Sequence, residues 1–268
     1  MYRIGIDVGG TFTDLVAIDD FGKVTLGKTP STPVDQSIGV MNGLVQVAET
    51  LGLSLADLLA TTDRIVHGTT VATNTLLERN GPKIALLTTE GHRDVLEMRE
   101  GLKPERYNLR LARPEALIPR HLCLGVRERI KADGKIDIPL DQASLDKAIR
   151  VLKREKIVSV AVCYLHAYRD GRHEQATREA LAKALPDLHV CISSEVLPQI
   201  KEYERVSTTV VNAYVAPILA RYLSRLEDAL KTAGYGGPVL IILSHGGIAP
   251  IAEAIRMAAA TVLSGPAG

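Results

Sequence analysis

The chain has no Trp and only two Phe in 268 residues, so it offers no aromatic platform on which nucleic-acid bases would stack. Charge of one sign is missing too. With 32 basic and 31 acidic side chains the net is +1, and no global field draws the chain to nucleic acid or to an anionic membrane. Cysteine is scarce: Cys123, Cys163 and Cys191 are too few and too scattered for a disulfide framework or a zinc site. Reduced thiols and a cytoplasmic location are the simplest account. Long hydrophobic runs are absent. The longest, Ile157 to Leu165, contains Ser159 and reaches about half the length of a spanning helix. Asp7 and Asp14 interrupt any apolar segment at the N-terminus, so no secretory signal is read there. The remainder is an ordinary soluble composition, 46 % apolar and 24 % charged, long enough for one large domain or two smaller ones.

What is present is concentrated in residues 4–14, Ile-Gly-Ile-Asp-Val-Gly-Gly-Thr-Phe-Thr-Asp. The apolar positions Ile4, Ile6 and Val8 predict a buried strand that delivers Asp7 near its end. Gly9 and Gly10 permit a tight turn and a close approach of backbone to ligand. Beyond them come Thr11, Phe12, Thr13 and Asp14, then a returning apolar run from Leu15 to Ile18. Such a strand–turn–strand can hold a phosphate chain on its amides and hydroxyls. Asp7 is then the hard anionic ligand for a magnesium ion on those phosphates. Asp14 would orient Thr11 or a water. A plain hairpin with a Gly-Gly turn is the competing reading, but two hydroxyls and two carboxylates exceed what a turn requires.

Further along, spacing predicts a helix over 35–51 and a short strand over 64–67. A helix over 69–80 ends at Gly81, and strands follow near 83–88, 157–165, 189–193 and 239–243. Helices are expected at 144–156, 174–184 and 251–260. Residues 206–231 carry one apolar stripe, hence one long helix or two stacked ones, with Pro217 kinking it or starting the second. Strands alternating with helices predict an α/β sheet. Prolines at 104, 114, 119 and 139 mark 98–140 as an inserted extended or β subdomain between segments 1–97 and 141–268.

Two further loops carry candidate residues. His67, Gly68, Thr69 and Thr70 lead from a strand into a helix, with Asn74 one turn on. A threonine there can simply cap the helix, or the helix start can meet an anion or amide oxygen. His245, Gly246 and Gly247 end a buried strand, where α/β sheets place ligands. His173 and Glu174 read as helix capping and dipole compensation. Glu202, Glu204 and Arg205 read as exposed ion pairs. Glu90-Gly91-His92 is similar to a sugar-kinase motif only superficially and is discounted.

Four blocks together resemble the N-terminal region of the hydantoinase/oxoprolinase family, which includes hydantoinase A subunits, 5-oxoprolinase and ketone carboxylase subunits. They are residues 7–14; residues 67–74; Glu202 to Arg205 with Asn212-Ala213-Tyr214; and residues 264–268. The resemblance implies domain one of an actin-like ATPase (ribonuclease H-like), a mixed sheet with flanking helices. By the same resemblance, residues 264–268 lead into the helix between two ATPase domains, and the second domain is absent. It also implies ATP and Mg2+ as cofactors. Gly9, Gly10, Thr11, Phe12 and Thr13 would hold the nucleotide, with Asp7, Asp14 and Thr11 as catalytic groups. His67, Gly68, Thr69, Thr70, Asn74, His245, Gly246 and Gly247 lie on the substrate side. The implied reaction is ATP-dependent opening of a cyclic amide, with a second subunit or domain as partner in an oligomer. A ketone carboxylase subunit, a small-molecule kinase and an inactive single lobe stay open as alternatives.

Overall fold

The computed structural model describes residues 1–32, 34–101, 105, 107–111 and 114–264. The chain divides into two compact units, one formed by Met1–Asn80 with Ile218–Gly268 and the other by Gly81–Pro217. The first opens with β1 (Tyr2–Val8), β2 (Phe12–Asp19) and β3 (Val24–Pro30), an antiparallel meander. α1 (Gln36–Leu51) follows. Asp35 caps it by accepting from the Ser37 amide, and Gly52, at φ +72°, closes it with bonds to the Ala48 and Glu49 carbonyls. The helix lies close on the meander because glycines face it: a Cβ on Gly43 would stand 2.2 Å from Leu15, and one on Gly27 2.6 Å from Val47. Next come α2 (Leu55–Ala60), β4 (Thr62–Thr69) and α3 (Val71–Leu77).

The second unit contains β5 (Ile84–Thr89), α4 (Val95–Met98), β6 (Cys123–Val126), β7 (Arg129–Ile130), β8 (Ile136–Ile138), α5 (Gln142–Arg154), β9 (Ser159–Cys163), α6 (Arg172–Ala184), β10 (His189–Ile192) and α7 (Ser193–Val196). Its main sheet has the order β10-β9-β5-β6, parallel throughout. Every residue of β5 and β9 is buried, as expected of a parallel sheet covered on both faces. The stretch expected as an insertion, 98–140, falls in this unit. It contributes the small antiparallel pair β7-β8, while its β6 joins the main sheet.

α8 (Glu202–Thr232) is one helix of 31 residues that passes through Pro217, where the two units divide. β11 (Val239–Ile242), β12 (Ile248–Pro250) and α9 (Ile251–Arg256) then return to the first unit. Its six-stranded sheet has the order β12-β11-β4-β1-β2-β3. β1, β4 and β11 are mutually parallel, so their C-terminal ends leave the sheet on one edge. Among the described residues no helix is long and apolar enough to cross a membrane.

Candidate functional site

The register of the first sheet brings three sequence blocks together. Val8 pairs with Thr69 across β1 and β4, and Ile241 pairs with His67 across β11 and β4. The Gly9–Thr11 turn, the Thr69–Thr70 corner and the Ser244–Gly247 turn therefore emerge along the same edge. Thr70 ties two of them, its amide and its hydroxyl each donating to the Val8 carbonyl at 3.1 Å. Gly9 donates to the Phe12 carbonyl, and Ser31 donates through its amide to Thr11 and through its hydroxyl to Gly9. The amides of Gly10 and Thr11 donate to no acceptor among the described residues, and both residues are exposed. A Cβ on Gly10 would meet nothing closer than Asn74 at 3.9 Å. This is an open cradle of free donors.

One row across the sheet holds Gly68, Asp7, Asp14 and Lys28 on neighbouring strands. Burial raises the pKa of Asp7, and the charge of Asp14 raises it further. Lys28 Nζ lies 2.7 Å from Asp14 Oδ1. The row thus holds two carboxylates and one ammonium, which pairs with Asp14, leaving a net negative charge beside the cradle. Gly68 makes room for it, since a Cβ there would stand 3.2 Å from Asp7 Oδ1. Asp7, Asp14 and Lys28 also line a cavity of about 470 Å3 with Val16, Leu26 and Val66. Among the described residues no group of three metal-ligating side chains exists. Asp7 and Asp14, paired on neighbouring strands, are hard oxygen donors of the kind a magnesium ion brought on phosphates would take, one or two per ion.

Several expected residues stand elsewhere. Because side chains alternate along a strand, residues one position off the Asp7 row face the opposite way. Thr13, His67 and Thr69 are fully buried. Thr13 Oγ1 shares a 3.0 Å hydrogen bond with Ser31 Oγ. Thr69 Oγ1 accepts from the Val71 amide at the start of α3, whose N-cap residue Thr70 makes no side-chain cap bond; the helix has seven residues, fewer than the span expected for it. His67 Nε2 lies 2.7 Å from Tyr222 Oη, and burial lowers its pKa to about 4, so it is a neutral core histidine. Asp14 is engaged by Lys28 rather than by Thr11. Asn74 donates to the Thr70 hydroxyl at 3.3 Å. His245 and Gly246 are exposed, Gly246 at φ +81°, and the Gly247 amide donates to His245 Nδ1 at 3.2 Å. Phe12 is half-exposed, with Lys28 Nζ 4.8 Å from its ring centre. Of the last block only Ser264 is described; its hydroxyl donates to the Thr69 carbonyl at 3.2 Å, and residues 265–268 lie outside the described residues.

In the second unit His173 and Glu174, read as helix capping and dipole compensation, and Arg205, read as part of an exposed ion pair, are all buried, with Glu174 in the first turn of α6. Glu174 is fully buried and accepts from the Tyr164 amide, the Ser193 hydroxyl and the Ser194 amide. His173 Nδ1 lies 2.8 Å from Glu128, and Glu128 also accepts from Thr89. Arg205 is 1 % exposed and donates to the Gln199 and Tyr164 carbonyls. Ser31, Lys28 and Tyr222 escaped the sequence reading, since each matters through a partner distant in the chain. Only the crowding of small polar residues around Ser31 hinted at it.

The model of the hydantoinase/oxoprolinase N-terminal region matches residues 3–185, and that of hydantoinase/oxoprolinase matches residues 205–268. Caprolactamase subunit alpha of Pseudomonas jessenii is 42 % identical over 99 % of this chain and 38 % of its own length. The acetophenone carboxylase gamma subunit of Aromatoleum aromaticum is 38 % identical over 92 % of this chain and 36 % of its own. The crystal structure of the ATP-dependent caprolactamase from Pseudomonas jessenii superposes with a TM-score of 0.89 at 41 % identity, covering 99 % of this chain and 39 % of that one. A nucleotide-free acetone carboxylase structure gives a TM-score of 0.89 at 28 % identity, covering 100 % of this chain and 39 % of that one. The chain spans less than two fifths of the length of these relatives. Its fold is that of their actin-like ATPase-type domain. With matched segments over most of its length and a shared fold, the chain belongs to the hydantoinase/oxoprolinase family.

Proposed function

We propose that this chain supplies the phosphate-hairpin part of an ATP-dependent hydrolase that opens cyclic amides. The observation that carries the reading is the cradle at the sheet edge, where the unpaired Gly10 and Thr11 amides stand beside a net-negative Asp7–Asp14–Lys28 row. Gly10 and Thr11 would bind phosphate oxygens, and Asp7 would face the magnesium ion those oxygens carry. Asp14, steadied by Lys28, adds charge rather than touching Thr11. Thr13, with Ser31, shapes the turn from beneath. Gly68 and Thr70 set the neighbouring corner, and the His245–Gly247 turn borders the same edge. Positioning and charge neutralisation are then the protein's main contributions to phosphoryl transfer.

An amide carbon is a poor electrophile. Moving the terminal phosphoryl of ATP to the amide oxygen would activate the carbon: water adds to it, the C–N bond breaks as the nitrogen takes up a proton, and a second water hydrolyses the resulting acyl phosphate, giving the ring-opened amino acid, ADP and phosphate. Support for a hydrolase comes from the 42 % identity to a caprolactamase subunit. A ketone carboxylase subunit is the second reading, favoured by the 38 % identity to the acetophenone carboxylase subunit. In either case a second ATPase domain and a partner subunit complete the enzyme, which works as a cytosolic oligomer. The three buried, free thiols fit that compartment. The test is ATP hydrolysis by the assembled enzyme. Stimulation by a lactam without bicarbonate is the expected result, whereas an absolute requirement for bicarbonate and a ketone selects the carboxylase.

A further inference from the structure

We infer that Ser31 is the positioning residue of the phosphate turn: its hydroxyl occupies the Gly9 carbonyl and so leaves three successive amides, those of Gly10, Thr11 and Phe12, open to one anion. The inference deepens the nucleotide reading of the turn and rests on it for its meaning. Register states what an ordinary hairpin would do here. β1 and β2 pair Val8 with Thr13, which sets Gly9 opposite Phe12. The Gly9 amide donates to the Phe12 carbonyl at 3.0 Å, the mark of an antiparallel pair that exchanges two bonds. The second bond, from the Phe12 amide back to the Gly9 carbonyl, is not made, and that amide has no acceptor among the described residues. The Gly9 carbonyl accepts the Ser31 hydroxyl instead, at 2.8 Å.

Ser31 grips the turn at a second point, where its amide donates to the Thr11 carbonyl at 2.9 Å. In a trans peptide the carbonyl and the following N–H point opposite ways. Drawing the Gly9 and Thr11 carbonyls toward Ser31 therefore turns the Gly10 and Phe12 amides away from it, on either side of the Thr11 amide. Successive free amides of this kind make a concave anion site, and Gly10, Thr11 and Phe12 all reach solvent. The hydroxyl protons are ordered as well. Ser31 has a single one, spent on Gly9, so across the 3.0 Å contact with Thr13 it is Thr13 that donates. Thr13 is fully buried, and α1 closes over it: a Cβ on Gly39 would stand 3.5 Å from Thr13 Oγ1. A directed relay thus runs from Thr13 through Ser31 to Gly9, and it holds the turn open from beneath.

The experiment is hydrogen exchange with single-amide resolution on the whole protein, first without nucleotide. Ser31→Ala frees the Gly9 carbonyl, and an unpaired backbone acceptor takes the donor opposite it. The Phe12 amide should then exchange at least about tenfold more slowly than in the parent, whereas mere loosening of the turn would make it faster. Affinity for Mg-ATP should fall about tenfold, because one of the three donors is withdrawn. Ser31→Thr keeps the hydroxyl and should match the parent in both readouts. Circular dichroism establishes folding of each variant. Unchanged or faster Phe12 exchange in folded Ser31→Ala, parental Mg-ATP affinity in that variant, or failure of folded Ser31→Thr to match the parent would overturn the inference. The two readings separate in the parent: slowed Phe12 exchange in Ser31→Ala, with no Mg-ATP binding by the parent, would leave the positioning role standing while the nucleotide reading fell.

Discussion

Asp7 illustrates how a functional side chain works against the fold that carries it. Burial and the adjacent Asp14 both raise its pKa. A carboxyl whose folded pKa exceeds its unfolded value costs stability as pH rises through that window, and the cost persists at neutral pH. Asp7→Asn should therefore raise the melting temperature at pH 7, modestly, by about 1 to 3 °C, because solvent screens an exposed carboxylate. The gain should vanish below the carboxylate range, where Asp7 is protonated in both states. The same variant should lose Mg-ATP binding. Melting curves from pH 3 to 8 with a nucleotide titration check both halves, and destabilisation at pH 7 would instead make Asp7 a structural residue. Gly10 gives the complementary test. Its φ is not in the left-handed region and a Cβ there has room, so Gly10→Ala should change stability by no more than about 0.5 kcal/mol. If phosphate seats against that backbone, affinity for Mg-ATP should fall at least about tenfold. Unchanged affinity would remove the cradle from the nucleotide site.

At the scale of elements, Arg205 shows what a helix can hide. Its sequence neighbours Glu202 and Glu204 suggested a solvated face, and Glu204 does pair with Lys201 at 3.1 Å. Arg205, in contrast, reaches from α8 to the carbonyls of Tyr164 and Gln199, with Tyr168 5.5 Å from its guanidinium carbon. Lysine has neither the planar fork nor the stacking face for that task. Arg205→Lys should destabilise the second unit by about 2 to 4 kcal/mol, read by urea unfolding followed by circular dichroism, since no Trp is available. A change below about 0.5 kcal/mol would return Arg205 to the surface role. The contrast with α1 explains which elements were legible. α1 declares itself through local chemistry, an Asp35 cap, a helical apolar stripe and a Gly52 stop. α8 declares its apolar stripe but not its continuity, because Pro217 sits inside the pattern, and the helix runs through it with Val210, Tyr214, Leu219 and Leu223 buried on either side. β12 and α2 are short and lack a pattern long enough to read. The hairpin was legible down to its turn, since glycines and alternation are local signals. That His67 meets Tyr222 was not, being a contact across 155 positions.

For the molecule as a whole, the informative feature is that residues near positions 10, 70 and 245 leave one sheet edge together. Sequence alone ranked these blocks separately, because parallel register between β1, β4 and β11 is set by long-range packing and not by any local motif. The convergence makes a prediction about how distant parts of the chain respond to one ligand. Anything that binds the native state protects the backbone it holds and stabilises by mass action. Hydrogen exchange in saturating Mg-ATP should therefore slow at the Gly9–Phe12 turn, at residues 69–74 and around 244–247, all three at the same nucleotide concentration. The turn amides should respond most, because those of Gly10 and Thr11 are the free donors, whereas Gly9 already bonds to Phe12. Gly10→Ala should remove the protection at all three places at once, although two of them are remote from it in sequence. Protection confined to residues 244–247, or surviving intact in Gly10→Ala, would mean that the sheet edge receives its ligand through another part of its rim.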